Sequence, residues 1–384
     1  MKTPLSWLQL THEKVRLLVA IAGICFADFL MFMQLGFRDA LFDSAVILNE
    51  AIDGEIFLLS PQSDALIAMK SFSSRPLYAA LGVEGVKSVT PIYLDFAIWK
   101  NPVNRKTRSI LVLGFNPSKN IFNLPGINEE NLAKIKLQDV VIFDELSRPE
   151  FGPIPELFQA GKTVKTEVGD RAVEVQGLFS LGTSFAADSN IFTSDLNFLR
   201  IFPQREKGII DIGVIKLAPD ADLEAVLNTL REKIAAGDVI VLSKEEYIER
   251  EKKYWQNGTA IGFIFALGTG MGFVVGTVIV YQILYTDVAD HLPEYATLKA
   301  MGYTNNYLLG VVFQEAIILA LIGFIPGFAL SVFFYLNAAS ATGLPMIMTV
   351  SRAGTVLILT VGMCAISGSV AVGKLRAADP ADIF

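Results

Sequence analysis

The sequence predicts an α-helical membrane protein with four membrane-spanning helices, one before and three after a large α/β domain. Two observations predict this class: four long apolar segments, and a stretch of ordinary globular sequence, residues 37–257, between the first and the second. A hydrocarbon core of ~30 Å needs about 20 apolar residues of helix, and each segment is long enough. The four segments cover residues 17–36, 259–284, 308–336 and 353–372.

Charges beside these segments predict their orientation. Lys and Arg occur in the leader 1–16, the loop 286–306 and the tail 373–384, and basic short segments stay in the cytoplasm. We therefore expect cytoplasmic termini and a domain 37–257 on the outer side of the membrane. The first apolar segment is long for a signal peptide and lacks a small-residue cleavage site, so we expect it to be retained.

Composition excludes several functions for the large domain. The net charge of −7 argues against nucleic acid as a partner. Residues 37–257 contain no His and no Cys, since the chain has only His12, His291, Cys25 and Cys364. A His-based hydrolase or a His/Cys metal site is thereby excluded from this domain.

Apolar periodicity predicts two β-α-β pieces in the domain, at residues 37–115 and 206–242. Residues 109–115 have the pattern of a buried strand, and residues 223–234 carry the apolar stripe of a helix. The section 116–205 between the two pieces is rich in strand and turn signals. We therefore expect a split subdomain with a second, β-rich subdomain inserted in it.

A helix is predicted where the domain ends, in residues 243–257. Ser243 and Glu246 have the spacing of a capping box, and Tyr254 and Trp255 fall where an aromatic belt meets a membrane. We expect this helix to continue into the second membrane helix as one rigid rod.

The tetrapeptide Ala160-Gly161-Lys162-Thr163 resembles part of a phosphate-binding loop. The nucleotide-binding motif needs a Gly at the position of Glu156, so a simple turn is the better interpretation. Any energy from ATP must then come from another chain.

Small and polar residues in the apolar segments indicate where helices meet. Gly268, Gly272 and Gly276 recur every four residues, which predicts a close helix–helix contact, with a homodimer axis as one candidate. Asp28 lies inside the first segment, where an ionisable group marks either a functional site or a structural hydrogen bond. Glu315 lies near the cytoplasmic start of the third segment, where we expect its carboxylate to reach water.

Residues 292–306 give the most specific local signal. Pro293 suits the first turn of a helix, Glu294 its N-terminus and Lys299 its last turn, and Gly302 ends it. These features predict a short cytoplasmic helix between two membrane helices.

The same residues carry a family resemblance. The run 294–302 (EYATLKAMG) resembles the E-I-[GA]-[IVT]-L-[RK]-A-[ML]-G signature of the FtsX/MacB-type ABC permeases, the type VII ABC exporters. Residues 314–316 (QEA) with Gly323 and Gly327 are similar to the family's third-helix pattern, and residues 376–382 resemble its closing motif.

This resemblance implies a non-catalytic permease whose helix 292–302 is a coupling helix that docks in a groove of a separate ABC ATPase. The implied docking residues are Glu294, Tyr295, Leu298, Lys299, Met301 and Gly302. It also implies a homodimer with two ATPase subunits, which would bind ATP and Mg²⁺ while this chain binds no cofactor. Outside the membrane it implies a membrane-fusion adaptor and a TolC-like outer-membrane channel.

For the domain, the resemblance implies a porter-like subdomain from residues 37–115 and 206–242, and export by mechanotransmission. Three alternatives stay open: a signalling permease that controls a cell-wall hydrolase, a lipoprotein-release permease, and a membrane-anchored sensor or enzyme. The length of segment 37–257 favours the exporter over the signalling permease. The missing His and Cys weigh against an enzyme, and the coupling-helix signature weighs against a sensor.

Overall fold

The computed structural model describes residues 14–234 and 238–377. They divide into two compact units, each described by itself below. One, the helical unit, contains the chain up to Ala40 and from Ala260 onwards, and the other, the sheet unit, is Leu41–Thr259.

Helices make up most of the helical unit and border the sheet in the other. In the described residues they are α1 (Lys14–Ala45), α2 (Ile47–Ala51), α3 (Arg75–Ala79), α4 (Glu129–Lys134), α5 (Ile154–Gln159), α6 (Asp195–Ile201), α7 (Leu223–Ile234), α8 (Lys244–Lys253), α9 (Ala260–Asp290), α10 (Leu292–Ala300), α11 (Asn305–Thr342) and α12 (Val350–Ala377). Helices α1, α9, α11 and α12 are long and apolar enough to cross a membrane.

The sheet unit is built on β-strands. They are β1 (Ile56–Leu59), β2 (Phe72–Ser73), β3 (Val86–Lys100), β4 (Thr107–Phe115), β5 (Val140–Asp144), β6 (Val164–Val168), β7 (Arg171–Phe179), β8 (Asn190–Ser194), β9 (Ile209–Ile210), β10 (Ile212–Leu217) and β11 (Ile240–Ser243). Nine of the described strands form one sheet in the order β11-β1-β10-β3-β4-β8-β5-β7-β6, and β2 pairs with β9.

The long strand β3 belongs to both halves of this sheet. Its first part pairs with β10, its whole length from Ile92 pairs with β4, and Trp99 near its end pairs with Val168 of β6. Strands β3, β4, β8, β5, β7 and β6 therefore close on themselves, while β10, β1 and β11 extend from the other side of β3. The section 116–205 thus joins the same sheet rather than forming a sheet of its own.

Two apolar cores cover the faces of the sheet. One contains Trp99, whose ring lies 5.2 Å from that of Phe143 and whose indole N–H donates to the Phe151 carbonyl at 2.9 Å. The other is centred on Phe192, which stacks on Phe179 with ring centroids 4.2 Å apart. Fully buried aromatic side chains on both faces hold the closed and open parts of the sheet together.

Local sequence signals correctly placed several elements. Ser243 and Glu246 form the predicted capping box at the start of α8. Gly161, in the tetrapeptide that resembles a phosphate-binding loop, has φ +69° in the turn after α5, a conformation that favours Gly. The turn interpretation of that segment is therefore correct.

The predicted rigid rod is wrong in one respect: α8 and α9 are not one helix. The chain forms a π-helical turn over Tyr254–Gly258, and Thr259 is extended at φ −125° and ψ 160°. The Thr259 hydroxyl donates to the Trp255 carbonyl at 2.8 Å. Gly258, directly before Thr259, has no side chain and is unfavourable inside a helix, so it favours a break here.

Glu251 fixes the end of α8 from inside the sheet unit. Its side chain is buried, and it accepts hydrogen bonds from the Leu66 N–H at 2.8 Å and the Trp255 indole N–H at 3.0 Å. The Trp255 ring meets Phe185 edge-on, 4.6 Å between centroids. Burial raises the pKa of the Glu251 carboxyl group to about 7, and these two hydrogen bonds oppose the shift.

We predict that this junction loses local stability as the pH rises from 4.5 to about 7. An unfolded Glu loses its proton near pH 4.5 and the folded Glu251 only near 7, so ionisation favours opening across this window. The contribution of Glu251 to the stability of the junction is present below pH 4.5 and lost above about pH 7. The free energy of opening changes by roughly 3 kcal/mol between them. Hydrogen-exchange protection of the Leu66 amide, corrected for intrinsic rates, measures it.

The matched variants are Glu251→Gln, which cannot ionise, and Glu249→Gln on the exposed side of the same helix. We expect Glu251→Gln to flatten the pH profile of Leu66 protection and Glu249→Gln to leave it unchanged. A flat profile in the unmodified protein would show that Glu251 does not titrate in this range.

Candidate functional site

Helix α10 lies at the predicted position between two long apolar helices and has a defined end. Gly302 has φ +96°, its N–H donates to the Lys299 carbonyl at 2.9 Å, and the Tyr303 N–H donates to the Leu298 carbonyl at 3.1 Å. These two bonds form a Schellman motif, which needs a residue that tolerates a left-handed conformation. The Gly therefore fixes the length of the helix.

One face of α10 packs against the membrane helices. Tyr295 is 1% exposed and lies in a cluster with Val288 of α9 and Val312 of α11, and Leu298 packs against the same cluster. Both residues were implied as docking residues by the family resemblance. In this structure their side chains face the chain's own helices, because the i, i+3 spacing puts them on one side.

The opposite face of α10 is exposed. It presents Pro293, Glu294, Thr297, Ala300 and Met301, and the Met301 side chain is 64% exposed. Of the implied docking residues, Glu294, Met301 and Gly302 are thus available to a partner and Lys299 is half-buried. The available surface is short and mixed, with one carboxylate and one flexible apolar side chain.

A polar cluster lies where α9 meets α10. The guanidinium of Arg16 forms ion pairs with Asp290 at 2.6 Å and with Asp287 at 3.9 Å. His291 Nδ1 lies 3.6 Å from the Asp287 carboxylate. Glu315 of α11 lies beside Asp287.

The expectation that Glu315 reaches water is wrong, because its side chain is only 1% exposed. Helix α11 begins at Asn305, so Glu315 lies almost three turns inside it, and it faces α9 rather than the surface. In the sequence, Arg16 served only to predict the orientation of the apolar segments, and Asp287 was not identified. The signal that could have identified Asp287 is an acidic residue in the last turn of an apolar helix.

Glycine faces of α9 and α11 both pack on α1. A Cβ on Gly276 would lie 2.7 Å from the Ala27 Cβ, and one on Gly268 would lie 2.5 Å from Gln34. Gly272 lies against Met31 in the same way, at 3.1 Å. The close contact predicted from these three Gly residues is thus made with the chain's own first helix, and Gly276 also meets Met363 of α12.

On the other side of α1, the glycines of α11 make an equally close contact. A Cβ on Gly323 would lie 2.6 Å from Ile24, and one on Gly327 would lie 3.2 Å from the Cys25 carbonyl and 2.9 Å from the Asp28 Cβ. Asp28 itself is fully buried and accepts a hydrogen bond from the Thr360 hydroxyl at 2.6 Å. The buried carboxyl group therefore lies where α1, α11 and α12 meet.

No metal centre is formed by these groups. Within residues 14–234 and 238–377, no group of three His, Cys, Asp or Glu side chains could hold a metal ion. The polar residues of the helical unit instead hold its helices to one another.

The C-terminal part of the chain has a family assignment. Residues 259–380, about a third of the chain, match the protein family described as "FtsX-like permease C-terminal". This stretch is therefore similar to the C-terminal part of FtsX-like permeases. It includes α10 and the 314–316 motif, whereas the closing motif 376–382 lies largely outside the described side chains.

Solved structures also resemble the chain. The periplasmic region of MacB from Actinobacillus actinomycetemcomitans is 13% identical, with a TM-score of 0.36, covering 54% of this chain and 95% of that one. The extracellular domain of the noncanonic ABC-type transporter YknZ from Gram-positive bacteria is 16% identical, with a TM-score of 0.33, covering 49% and 98%. A domain of a putative permease protein from Porphyromonas gingivalis is 13% identical, with a TM-score of 0.31, covering 50% and 86%. No curated protein matches the chain.

The helical unit has one further polar contact with α1, which the sequence did not predict. Arg352 at the start of α12 donates from Nη2 and Nε to Asp39 at 2.8 and 3.1 Å, and from Nη1 to the Ile347 carbonyl at 2.7 Å. Its guanidinium lies 5.5 Å from the Tyr335 ring centroid. The two charged residues are 313 positions apart, so no local pattern could pair them.

We predict that Gly327→Ala destabilises the helical unit. The added methyl group would meet the Cys25 backbone, which cannot move aside as a flexible side chain could. We expect a loss on the order of 1–3 kcal/mol, measured as a lower thermal unfolding temperature in detergent. Gly310→Ala is the control, because in the same helix its Cβ would meet nothing within 4 Å. Equal unfolding temperatures for the two variants would contradict the close contact with α1.

Proposed function

We propose that this chain is the permease subunit of a tripartite ABC exporter, similar to DevC of the DevBCA exporter. The observation that carries the proposal is the FtsX-like permease match over residues 259–380, with α10 exposed in the position of a coupling helix. Its four apolar helices support a location in the inner membrane. In this proposal the termini are cytoplasmic and the sheet unit is periplasmic.

The partners follow from this assignment. Two copies of the chain would form a homodimer with two DevA-like ABC ATPases, which bind ATP and Mg²⁺ and supply the energy. A DevB-like membrane-fusion adaptor and a TolC-like channel would complete the path through the outer membrane. The cargo would be a glycolipid taken up on the periplasmic side and expelled by mechanotransmission, without passing through a central pore of the permease.

The outward face of α10 would dock in the ATPase. Met301 provides an adaptable apolar contact, and Glu294 at the helix N-terminus provides a charge that the helix dipole favours. Asp290, His291, Leu292 and Pro293 precede that Glu, so no basic residue stands directly before it. We therefore expect docking to depend on apolar contact more than on positive charge.

The docking surface is tested by Met301→Asp in the permease co-expressed with its ATPase. A carboxylate in place of the exposed Met should reduce ATPase co-purification at least tenfold without lowering the unfolding temperature, since Met301 is exposed. Thr304→Asp is the matched control, because it adds the same charge three residues away at the N-cap of α11, where Asp is favourable. Undiminished co-purification of Met301→Asp would overturn the docking assignment.

The cargo is tested separately by comparing the envelope lipids of a deletion strain with those of its parent. The proposal expects one class of glycolipid to be missing from the outer layers of the envelope and to be restored by the intact gene. An unchanged lipid profile would contradict a glycolipid cargo, but it would not contradict the proposal that the chain is an ATPase-coupled permease.

A further inference from the structure

The polar cluster at the base of α10 connects α1, α9 and α11, and His291 at the N-terminus of α10 lies beside it. Asp287 of α9 is 5% exposed and Glu315 of α11 is 1% exposed. Arg16 of α1 reaches both Asp287 and Asp290, and His291, between α9 and α10, lies beside Asp287. Any displacement of α10 must therefore strain contacts to α1 and α11, or carry these helices with it.

Stability alone does not explain the cluster. Its buried carboxyl groups are exposed to little water, and the guanidinium near them also pairs with Asp290. Burying ionisable groups is costly, and well-packed apolar side chains in their place are often neutral or stabilising. Polar groups that persist at such a cost commonly fix one arrangement of the elements they join.

Apolar packing beside the cluster fixes α10 to the helices that carry the cluster. Tyr295, one turn after His291, is held between Val288 and Val312, so the helix is fixed to α9 and α11 on its inner face. Helix α1, which begins two residues before Arg16, runs without interruption to Ala45. A force on α10 that is transmitted to Arg16 would therefore act on the whole of α1.

We propose that Arg16, Asp287 and Glu315 are positioning residues that make α1 and α11 move together with the coupling helix. This inference rests on the proposed function, because it assumes that α10 receives force from an ATPase. The three residues would not contribute to ATPase docking, since they lie on the side of α10 away from its exposed face.

The test uses the permease and its ATPase reconstituted together in lipid nanodiscs. Glu315→Leu removes the polar link in an apolar environment, and Glu315→Gln keeps a group that can donate to Asp287. We expect Glu315→Leu to retain ATPase co-purification and unfolding temperature but to lose at least tenfold in adaptor- and cargo-stimulated ATP turnover. Glu315→Gln should restore most of that stimulation, which a merely structural role would not require.

A second arm needs no ATPase. In the permease alone, Arg16→Asp should raise hydrogen exchange of the α10 amides severalfold, and the exchanged pair Arg16→Asp with Asp290→Arg should return it toward the original level. Thr286→Ala, on the exposed side of α9, is the control and should change neither exchange nor stimulation.

The outcomes separate this inference from the proposed function. Full stimulation in Glu315→Leu, or unchanged α10 exchange in Arg16→Asp, would overturn the positioning role even if Met301→Asp releases the ATPase. If Met301→Asp fails to release the ATPase, the docking assignment falls, and the exchange measurements still decide whether the cluster holds α10 to α1.

Discussion

The helical unit depends on how closely its first helix approaches the other three. Lipid tails are as apolar as Leu side chains, so helices in a membrane gain little from burying apolar surface and rely on close packing and polar contacts. Helix α1 receives the glycine faces of α9 and α11 on two sides. Its Asp28 accepts a hydrogen bond from α12, its Arg16 forms an ion pair with α9, and its Asp39 forms an ion pair with Arg352. Helix α1 thus contacts each of the other three long helices and is held by polar contacts near both ends and in the middle.

Sequence signals were sufficient where the deciding interaction is local. The capping box at Ser243, the left-handed Gly302 and the buried apolar run of β4 act within a few residues, so their elements could be placed from composition and spacing alone. The α10 signature likewise predicted a helix with defined ends.

Tertiary partners could not be predicted in the same way. The three Gly residues of α9 indicated a close contact, but nothing local says whether the partner is α1 or a second copy. The burial of Glu315 depends on where α11 begins and which way it faces, and the pairing of Arg352 with Asp39 joins distant positions. The break between α8 and α9 lies at Thr259, where the chain is extended, and the helical patterns on both sides conceal it.

The shared strand β3 has a consequence for how this domain can change in evolution. Because β3 pairs with β10 on one side and with β4 and β6 further along, the section 116–205 is not a removable module. Its excision would take away β5, β6, β7 and β8 and leave one edge of β4 and part of β3 without hydrogen-bonded neighbours. Diversification of this domain is therefore expected through its loops and exposed faces, with the closed ring of strands inherited as one piece.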